Sequence, residues 1–163
     1  MGPVLSTEVE IPYDCCSEEP VPDEVPEQRF LHGFRIGWGY VNGLERHLES
    51  PQMFVIGYEF THRLVGGDWL NVIVVENLML SGVNQSLLLP SANGILGFEA
   101  AERFQVGAGV NVTPWDPEDK LVHMIAAVGY TPRVGAFWVP VHAYWIPDVD
   151  GNYRFGLTTG VNW

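Results

Sequence analysis

The chain has 163 residues, of which 47% are hydrophobic, 12% aromatic and only 17% charged, and this length is typical of one domain. Its 20 acidic and 8 basic residues give a net charge of −12, which argues against nucleic acid as a partner because few cations are present to contact phosphates. No run approaches the roughly 18 apolar residues that a transmembrane helix needs, but strands can also span a bilayer when they close into a barrel.

The first 28 residues differ in composition from the rest of the chain. They contain eight acidic residues and five prolines but no lysine or arginine, and so hold two thirds of the net charge. This composition predicts an extended or disordered arm, residues 1–28, before a folded domain, residues 29–163. The opening residues lack the basic segment and long apolar run of a secretory signal, so either a leader has been removed or the start is incomplete.

Two adjacent cysteines, Cys15 and Cys16, lie in this arm. Neighbouring cysteines seldom bond to each other, because the backbone geometry strains the disulfide. Two thiols are also too few for a metal site. We therefore expect exposed thiols, with a disulfide to a partner protein as the functional alternative.

From residue 30 onward, bulky apolar residues alternate with small or polar ones. In residues 30–41, one face carries Phe34, Ile36 and Trp38, and the other carries Arg35 and several glycines. A period of two predicts β-strands. Eight strands are predicted, at residues 30–41, 53–64, 69–80, 94–101, 104–113, 120–130, 133–146 and 153–163.

The predicted connections alternate between long and short. Long segments follow the odd-numbered strands, at residues 42–52, 81–93, 114–119 and 147–151, and tight turns follow the even-numbered strands. This pattern is typical of antiparallel outer-membrane barrels, which have short periplasmic turns and longer external loops. An even number of strands then places both termini in the periplasm.

The bulky faces are predicted to point outward. An eight-stranded barrel has an interior just wide enough for side chains, so small and polar residues fit inside and the aromatic residues require lipid outside. A soluble lipocalin-like barrel that binds apolar ligands would need the reverse orientation. The aromatic residues expected in interfacial girdles are Trp38, Tyr40, Phe54, Tyr144, Trp145 and Tyr153 on the loop side and Phe30, Trp69, Tyr130 and Trp163 on the turn side.

The final segment, YRFGLTTGVNW, resembles the C-terminal strand signal of bacterial outer-membrane proteins. The matching positions are Tyr153, Phe155, Leu157, Val161 and Trp163, and Thr159 departs from the pattern. Size and loop pattern resemble the small eight-stranded barrels, such as the OmpA membrane domain and OmpX. The resemblance implies a location in the bacterial outer membrane, with the lipid bilayer, lipopolysaccharide and the barrel-assembly machinery as partners.

Several polar residues are predicted to lie inside the barrel. Because unpaired buried charge is unfavourable, the acids and arginines are expected to pair in a polar plug; a proton path or narrow gate is the functional alternative. The predicted interior set is Arg35, Glu59, Glu99, Gln105, Asn111, His123 and Arg154, together with Asn71 and Asn77. Alternation places Glu76 toward lipid, and we expect either a β-bulge that turns it inward or a position near the external interface.

The predicted loops offer few residues for chemistry. A lipid A-modifying enzyme, a deacylase or acyltransferase, would need a serine, a histidine and an acid together. Candidates are the loop histidine His47, His142 near the external end of strand seven, and Ser81, Ser86 and Ser91. Turn chemistry explains these serines and the acidic segments DPEDK and PDVDGN, with a bound cation as the alternative for the latter two. Three leucines at residues 87–89 are expected to be exposed in a loop and to pack on the barrel rim.

The sequence thus favours an outer-membrane barrel that acts as a structural or interaction scaffold. No catalytic residue, metal or cofactor is predicted, and the acidic arm is expected to bind a periplasmic or envelope protein.

Overall fold

In this computed structural model, the structure describes residues 29–43, 49–67, 69–114, 121–148 and 151–163. The predicted arm, with Cys15 and Cys16, lies outside the described residues. The described chain contains ten strands and a short 3₁₀ helix at Val83–Gln85. The strands are β1 (Phe30–Asn42), β2 (Gln52–Gly66), β3 (Leu70–Ser81), β4 (Leu89–Ala100), β5 (Phe104–Val112), β6 (Val122–Tyr130), β7 (Arg133–Val134), β8 (Phe137–Trp138), β9 (Val141–Pro147) and β10 (Tyr153–Asn162).

Eight of these strands close into an antiparallel barrel. Each of β1–β6 pairs with the next, β6 pairs with β9, β9 with β10, and β10 returns to β1. This closure confirms the predicted all-β, eight-stranded antiparallel fold, and it leaves none of these eight strands at an open edge. No described residue belongs to a helix long and apolar enough to cross a bilayer.

The strands are steeply inclined to the barrel axis. A line of paired residues leaves β2 at Arg63 and returns to β2 at Met53, ten residues away. Such a stagger is what closing eight tilted strands requires. The tilt also brings inward residues from distant strands to one level, which positions the polar clusters described below.

The interior is more apolar than the sequence predicted. Aliphatic side chains from four strands form a buried core, against which Ala127 and Tyr144 pack. Its members are Ile73, Val75, Ile95, Ile125 and Ile146. The inward faces of the strands together supply an apolar centre and the polar clusters described below.

Two strands differ from their predicted bounds. β4 begins at Leu89 rather than at residue 94, so the loop before it is short and Leu89 lies in the strand, while Leu88 is exposed. Proline has no N–H to donate to a neighbouring strand, so it is tolerated where pairing is absent. Pro90 fits this rule because β5 pairs with β4 only from Ala92 onward. The predicted seventh strand is broken: Gly135, with φ 63°, turns β7 back onto β8, and β9 starts only after Pro140.

The connections after β2 and β4, at one end of the barrel, are tight, but the tight turn predicted after the sixth strand is wrong: the ten residues 131–140 hold the β7–β8 hairpin there. Ala101 and Glu102 both have positive φ, 49° and 55°, and the N–H of Arg103 donates to the carbonyl of Ala100 at 3.1 Å. This is a type I′ turn, whose twist matches that of a β-hairpin. The N-terminal residue of β1 and the C-terminal residue Trp163 lie at the same end, since His32 and Trp163 exchange backbone hydrogen bonds.

Candidate functional site

The first polar cluster lies inside the barrel around Arg35 on β1. Its guanidinium forms a salt bridge with Glu59 on β2, and both side chains are 1% exposed. Arg35 Nη1 also donates to Asn162 Oδ1 at 3.0 Å, and Thr61 Oγ1 donates to Glu59 at 3.3 Å. The cluster therefore fastens β10 to β1 and β2 at the barrel closure.

A second ion pair lies nearby on the same inward side. Arg63 Nε donates to Glu99 Oε1 at 2.7 Å, and Gln105 Nε2 donates to Glu99 Oε2 at 2.7 Å. The sequence predicted Glu99 and Gln105 but omitted Arg63, although Arg63 has the same alternation as Glu59. Strict alternation along β2 would have found it.

His142 on β9 joins the two ion pairs. Its Nδ1 lies 3.2 Å from Glu59 Oε2, and its Nε2 lies 2.8 Å from Gln105 Oε1. Carboxylate, imidazole and amide thus form one continuous network across the barrel. The sequence placed His142 near the external end of its strand; it is instead the second residue of β9, because β9 begins at Val141 and not at residue 133, and its side chain points inward.

A separate polar group occupies four adjacent strands. Asn77, Asn93, Asn111 and His123 lie on one line of paired residues across β3–β6, and all are buried. Asn111 Nδ2 donates to Asn93 Oδ1 at 2.7 Å. Arg154 extends the group from β10, donating to the hydroxyl of Thr113 at 3.3 Å, and that hydroxyl donates to Asn111 Oδ1 at 2.8 Å.

Trp138 is buried near the turn end of the barrel, where it pairs with Asn162 across β8 and β10. The guanidinium of Arg63 lies 5.5 Å from its ring centre, and that of Arg133 lies 5.9 Å away. Such cation–π contacts stabilise the buried ring. No alternation pattern indicated this position, since the β7–β8 hairpin is too short to show one.

Inward glycines make room for the largest inward side chains. A Cβ on Gly129 would overlap His142, and a Cβ on Gly156 would overlap the ring of Tyr144. Tyr144 was predicted in the outer aromatic girdle; the structure corrects this, because the ring packs inside against the aliphatic core. Two aromatic residues, Tyr144 and Trp145, are adjacent in the sequence, so alternation did not show which of them points inward.

A small cavity lies beside the core. Its volume is about 30 Å³, and its walls include Asn77, Gln105, His142 and Tyr144. This space suits one or two water molecules, since a water needs at least ~10–15 Å³ and polar partners. The surrounding side chains hold the two ion pairs away from bulk solvent, since Arg35, Glu59 and Glu99 are each 1% exposed.

The outer surface is apolar around the whole barrel. Phe34, Leu96 and Met124 are 63%, 60% and 69% exposed, and similar residues lie on every long strand. Exposed aromatic residues mark both ends of the barrel. They are Trp38, Tyr40, Trp145 and Tyr153 toward the loops and Phe30, Trp69, Tyr130 and Trp163 toward the turns.

The remaining predicted residues are placed as follows. The outward face of β10 carries Tyr153, Phe155, Leu157, Val161 and Trp163, all exposed, as alternation predicted. Glu76 also points outward, in the middle of β3, and the only register shift between β2 and β3 lies at Arg63–Val65. The expected inward bulge at Glu76 is therefore wrong.

The residues considered for catalysis or metal binding do not converge in the described structure. Ser86 ends the 3₁₀ helix in the loop, whereas His142 contacts Glu59 and Gln105 inside the barrel. His47 and the segment DPEDK lie outside the described residues. Within the part of the chain that the structure describes, no three His, Cys, Asp or Glu side chains are grouped to hold a metal ion.

Comparisons with known proteins give one structural likeness. No known protein family matches the sequence, and no curated protein matches it. Among solved structures, the chain is similar to one reported under "De novo design of transmembrane beta-barrels", with 13% identity and a TM-score of 0.45. The match covers 84% of this chain and 96% of that one.

Proposed function

We propose that this chain is an integral outer-membrane β-barrel with a closed interior, and that it acts as a structural or protein-interaction scaffold of the bacterial envelope. One observation carries the proposal: the barrel presents large apolar side chains outward on all its long strands, while Arg35, Glu59, Arg63 and Glu99 are paired inside. A soluble lipocalin-like barrel would require the opposite arrangement.

The outer surface supports a lipid environment on physical grounds. Monomeric soluble proteins seldom expose contiguous apolar patches larger than roughly 300–600 Å². Here side chains such as Phe34, Leu96 and Met124 are exposed on strands that surround the barrel. Hydrocarbon is the solvent in which this surface is stable, and closed barrels satisfy every strand's backbone hydrogen bonds within it.

The closed interior supports a scaffold rather than a pore. Two linked ion pairs, an aliphatic core and Trp138 fill the space between the strands. A network of this kind holds the strands in register, and we propose that it serves structure rather than transport of solutes. Function then resides in the loops, the outer surface and the acidic arm.

The proposed orientation places the short turns in the periplasm. His32 and Trp163 lie at the end of the barrel that carries the tight turns, so the arm that precedes β1 would enter the periplasm. We propose that this arm contacts a periplasmic or envelope protein, with Cys15 and Cys16 available for a disulfide. The bilayer, lipopolysaccharide and the barrel-assembly machinery, which would read β10, are the other proposed partners.

Membrane insertion is tested by refolding the full chain with and without lipid vesicles. The expected result is a folded form only with lipid, recognised by its compact migration on a gel before heating and by protection of the strands from protease. A monodisperse folded monomer in buffer without detergent or lipid would overturn the proposal.

The scaffold role is tested against lipid A chemistry. Cells producing the chain, and cells producing a variant with Ser81, Ser86 and Ser91 replaced by alanine, are compared with cells lacking it by mass spectrometry of lipid A. We expect the same lipid A profile in all three. A new acylation state that depends on the chain and disappears in the variant would favour the enzyme instead.

A further inference from the structure

One amide oxygen inside the barrel, Oδ1 of Asn77, needs a hydrogen-bond donor. Asn77 is 7% exposed on β3, and this oxygen accepts no hydrogen bond from any residue that the structure describes. Buried polar side-chain atoms in folded proteins nearly always have a protein or water partner. The donor for this oxygen is therefore to be sought in the space around it.

Asn77 forms part of the wall of the cavity beside the aliphatic core. A volume of about 30 Å³ exceeds the ~10–15 Å³ that one water molecule needs. Water also requires roughly two to four polar partners, since cavities with purely apolar walls stay dry. The other polar residues in this wall include Asn93, Gln105, His142 and Thr158.

Asn77 and His142 face each other across this cavity. Their strands, β3 and β9, are four strands apart in the ring of eight, so they lie on opposite sides of the barrel. The line of paired residues that starts at Asn71 reaches His142 four strands later. By then it has climbed half of the ten-residue stagger toward the loops, so His142 is level with the part of β3 that contains Asn77.

The side chain next to His142 can complete a bridge across the cavity. Both ring nitrogens of His142 are engaged, one with Glu59 and the other with Gln105 Oε1. Gln105 Nε2 carries two hydrogens and donates one to Glu99 at 2.7 Å, which leaves a second N–H. Because Gln105 also lines the cavity, water there can accept this hydrogen and donate one of its own to Asn77 Oδ1.

We propose that the cavity binds one or two water molecules, which join Asn77 Oδ1 to the amide group of Gln105. Asn77 is paired in register with Glu59 on one side and with Asn93 on the other, so it lies between the ion pairs and the asparagine group. The bound water thus links β3 to β5 through side chains that form no direct hydrogen bond. The inference goes beyond the proposed scaffold role, because it concerns the interior and does not depend on what surrounds the barrel.

The first test detects the water by solid-state NMR. The full chain, isotope-labelled and folded in phosphatidylcholine vesicles, is measured with a short transfer of magnetisation from water protons to the protein. We expect transfer to the side-chain amides of Asn77 and Gln105 to be several-fold stronger than to that of Asn111. Asn111 is the control because it is also buried and its amide is already bonded to Asn93 and Thr113. Transfer to Asn77 no stronger than to Asn111 would overturn the proposal.

The second test measures the coupling that the bridge creates. Asn77→Leu removes the acceptor, and Gln105→Met removes the donor, each with a side chain of similar size. Water-mediated hydrogen bonds are nearly as favourable as direct ones, so the effects of the two changes on the unfolding equilibrium constant should be coupled by about fivefold.

The matched pair for this cycle is Thr113→Val with Gln105→Met. Thr113 is also buried and polar, but it hydrogen-bonds to Asn111 rather than lining the cavity, so these two changes should act independently. Independent effects of Asn77→Leu and Gln105→Met would overturn the bridge.

Insertion is checked in the same samples by gel migration before and after heating. A chain that folds only without lipid would overturn the proposed membrane location. The same two measurements on that folded form in buffer would still decide for or against the water bridge.

Discussion

The Nδ1 of His142 lies 3.2 Å from the Glu59 carboxylate, so a side chain from β9 reaches across the barrel to β2. The other ring nitrogen, Nε2, lies 2.8 Å from Gln105 Oε1, and Gln105 in turn donates to Glu99 of the second ion pair. Charges that would be unfavourable alone are thus held in one network that links strands far apart in the chain. The stability of the barrel should depend on this network as a unit.

Breaking one member of the first ion pair should be strongly destabilising. Arg35→Leu leaves Glu59 buried without its main counter-charge, and truncating one partner of a buried pair typically costs about 3–5 kcal/mol of unfolding free energy. Urea unfolding of the protein folded in vesicles measures this loss.

The double variant Arg35→Leu/Glu59→Leu provides the control. It should lose less than the sum of the two single changes, because no uncompensated charge remains. Strictly additive losses would show that the pair is not coupled.

Substitution of an inward glycine should be far more harmful than substitution of an outward one. In Gly156→Ala the new methyl overlaps the ring of Tyr144, and overpacking of this kind costs about 1–3 kcal/mol. Gly94→Ala, with no other described atom closer than 4.0 Å, should cost little. Equal unfolding free energies for the two variants would contradict the inward position of Tyr144.

The type I′ turn should be open to improvement. Glu102 adopts a φ of 55°, a conformation that is unfavourable for a side chain with a Cβ. Glu102→Gly should therefore raise the free energy of unfolding by about 1 kcal/mol. Glu102→Ala removes the same carboxylate without relieving the backbone, so a similar gain there would assign the effect to charge.

A charge on the outer surface should oppose folding into lipid. Leu96→Arg places a cation near the middle of β4, where a lipid-facing arginine costs about 2–4 kcal/mol. Val83→Arg makes the same change in the loop, at a residue that is also exposed, and should cost much less. If both variants refold into vesicles with the same unfolding free energy, Leu96 does not face hydrocarbon.

The sequence predicted the barrel because alternation survives on nearly every strand. Alternation fixes the side to which every side chain of a strand points once one of them is known. The predicted inward residues that are buried accordingly include Arg35, Glu59, Glu99 and His123. Alternation shows on which side of a strand a residue lies, but not which residues meet across the barrel. The contacts of His142 with Glu59 and Gln105 depend on the stagger of the closed barrel, so the sequence could not predict them.

The errors have similar physical causes. Tyr144 was assigned to the girdle because aromatic residues favour interfaces, but Gly156 provides room for its ring inside. Because a lipid-facing acid is unfavourable, Glu76 was expected either to turn inward at a bulge or to lie near the external interface, yet it lies in the middle of β3, which continues through it without a bulge.

The most direct test of the account is the environment of the outer surface. In a Cys15→Ser/Cys16→Ser background, spin labels are attached to cysteines replacing Leu96, Met124 and Val83 in the protein folded in vesicles, and their collisions with oxygen and with a water-soluble nickel chelate are measured. We predict high oxygen and low nickel accessibility at residues 96 and 124, and high nickel accessibility at residue 83. Nickel accessibility at residues 96 and 124 equal to that at residue 83 would contradict the membrane barrel.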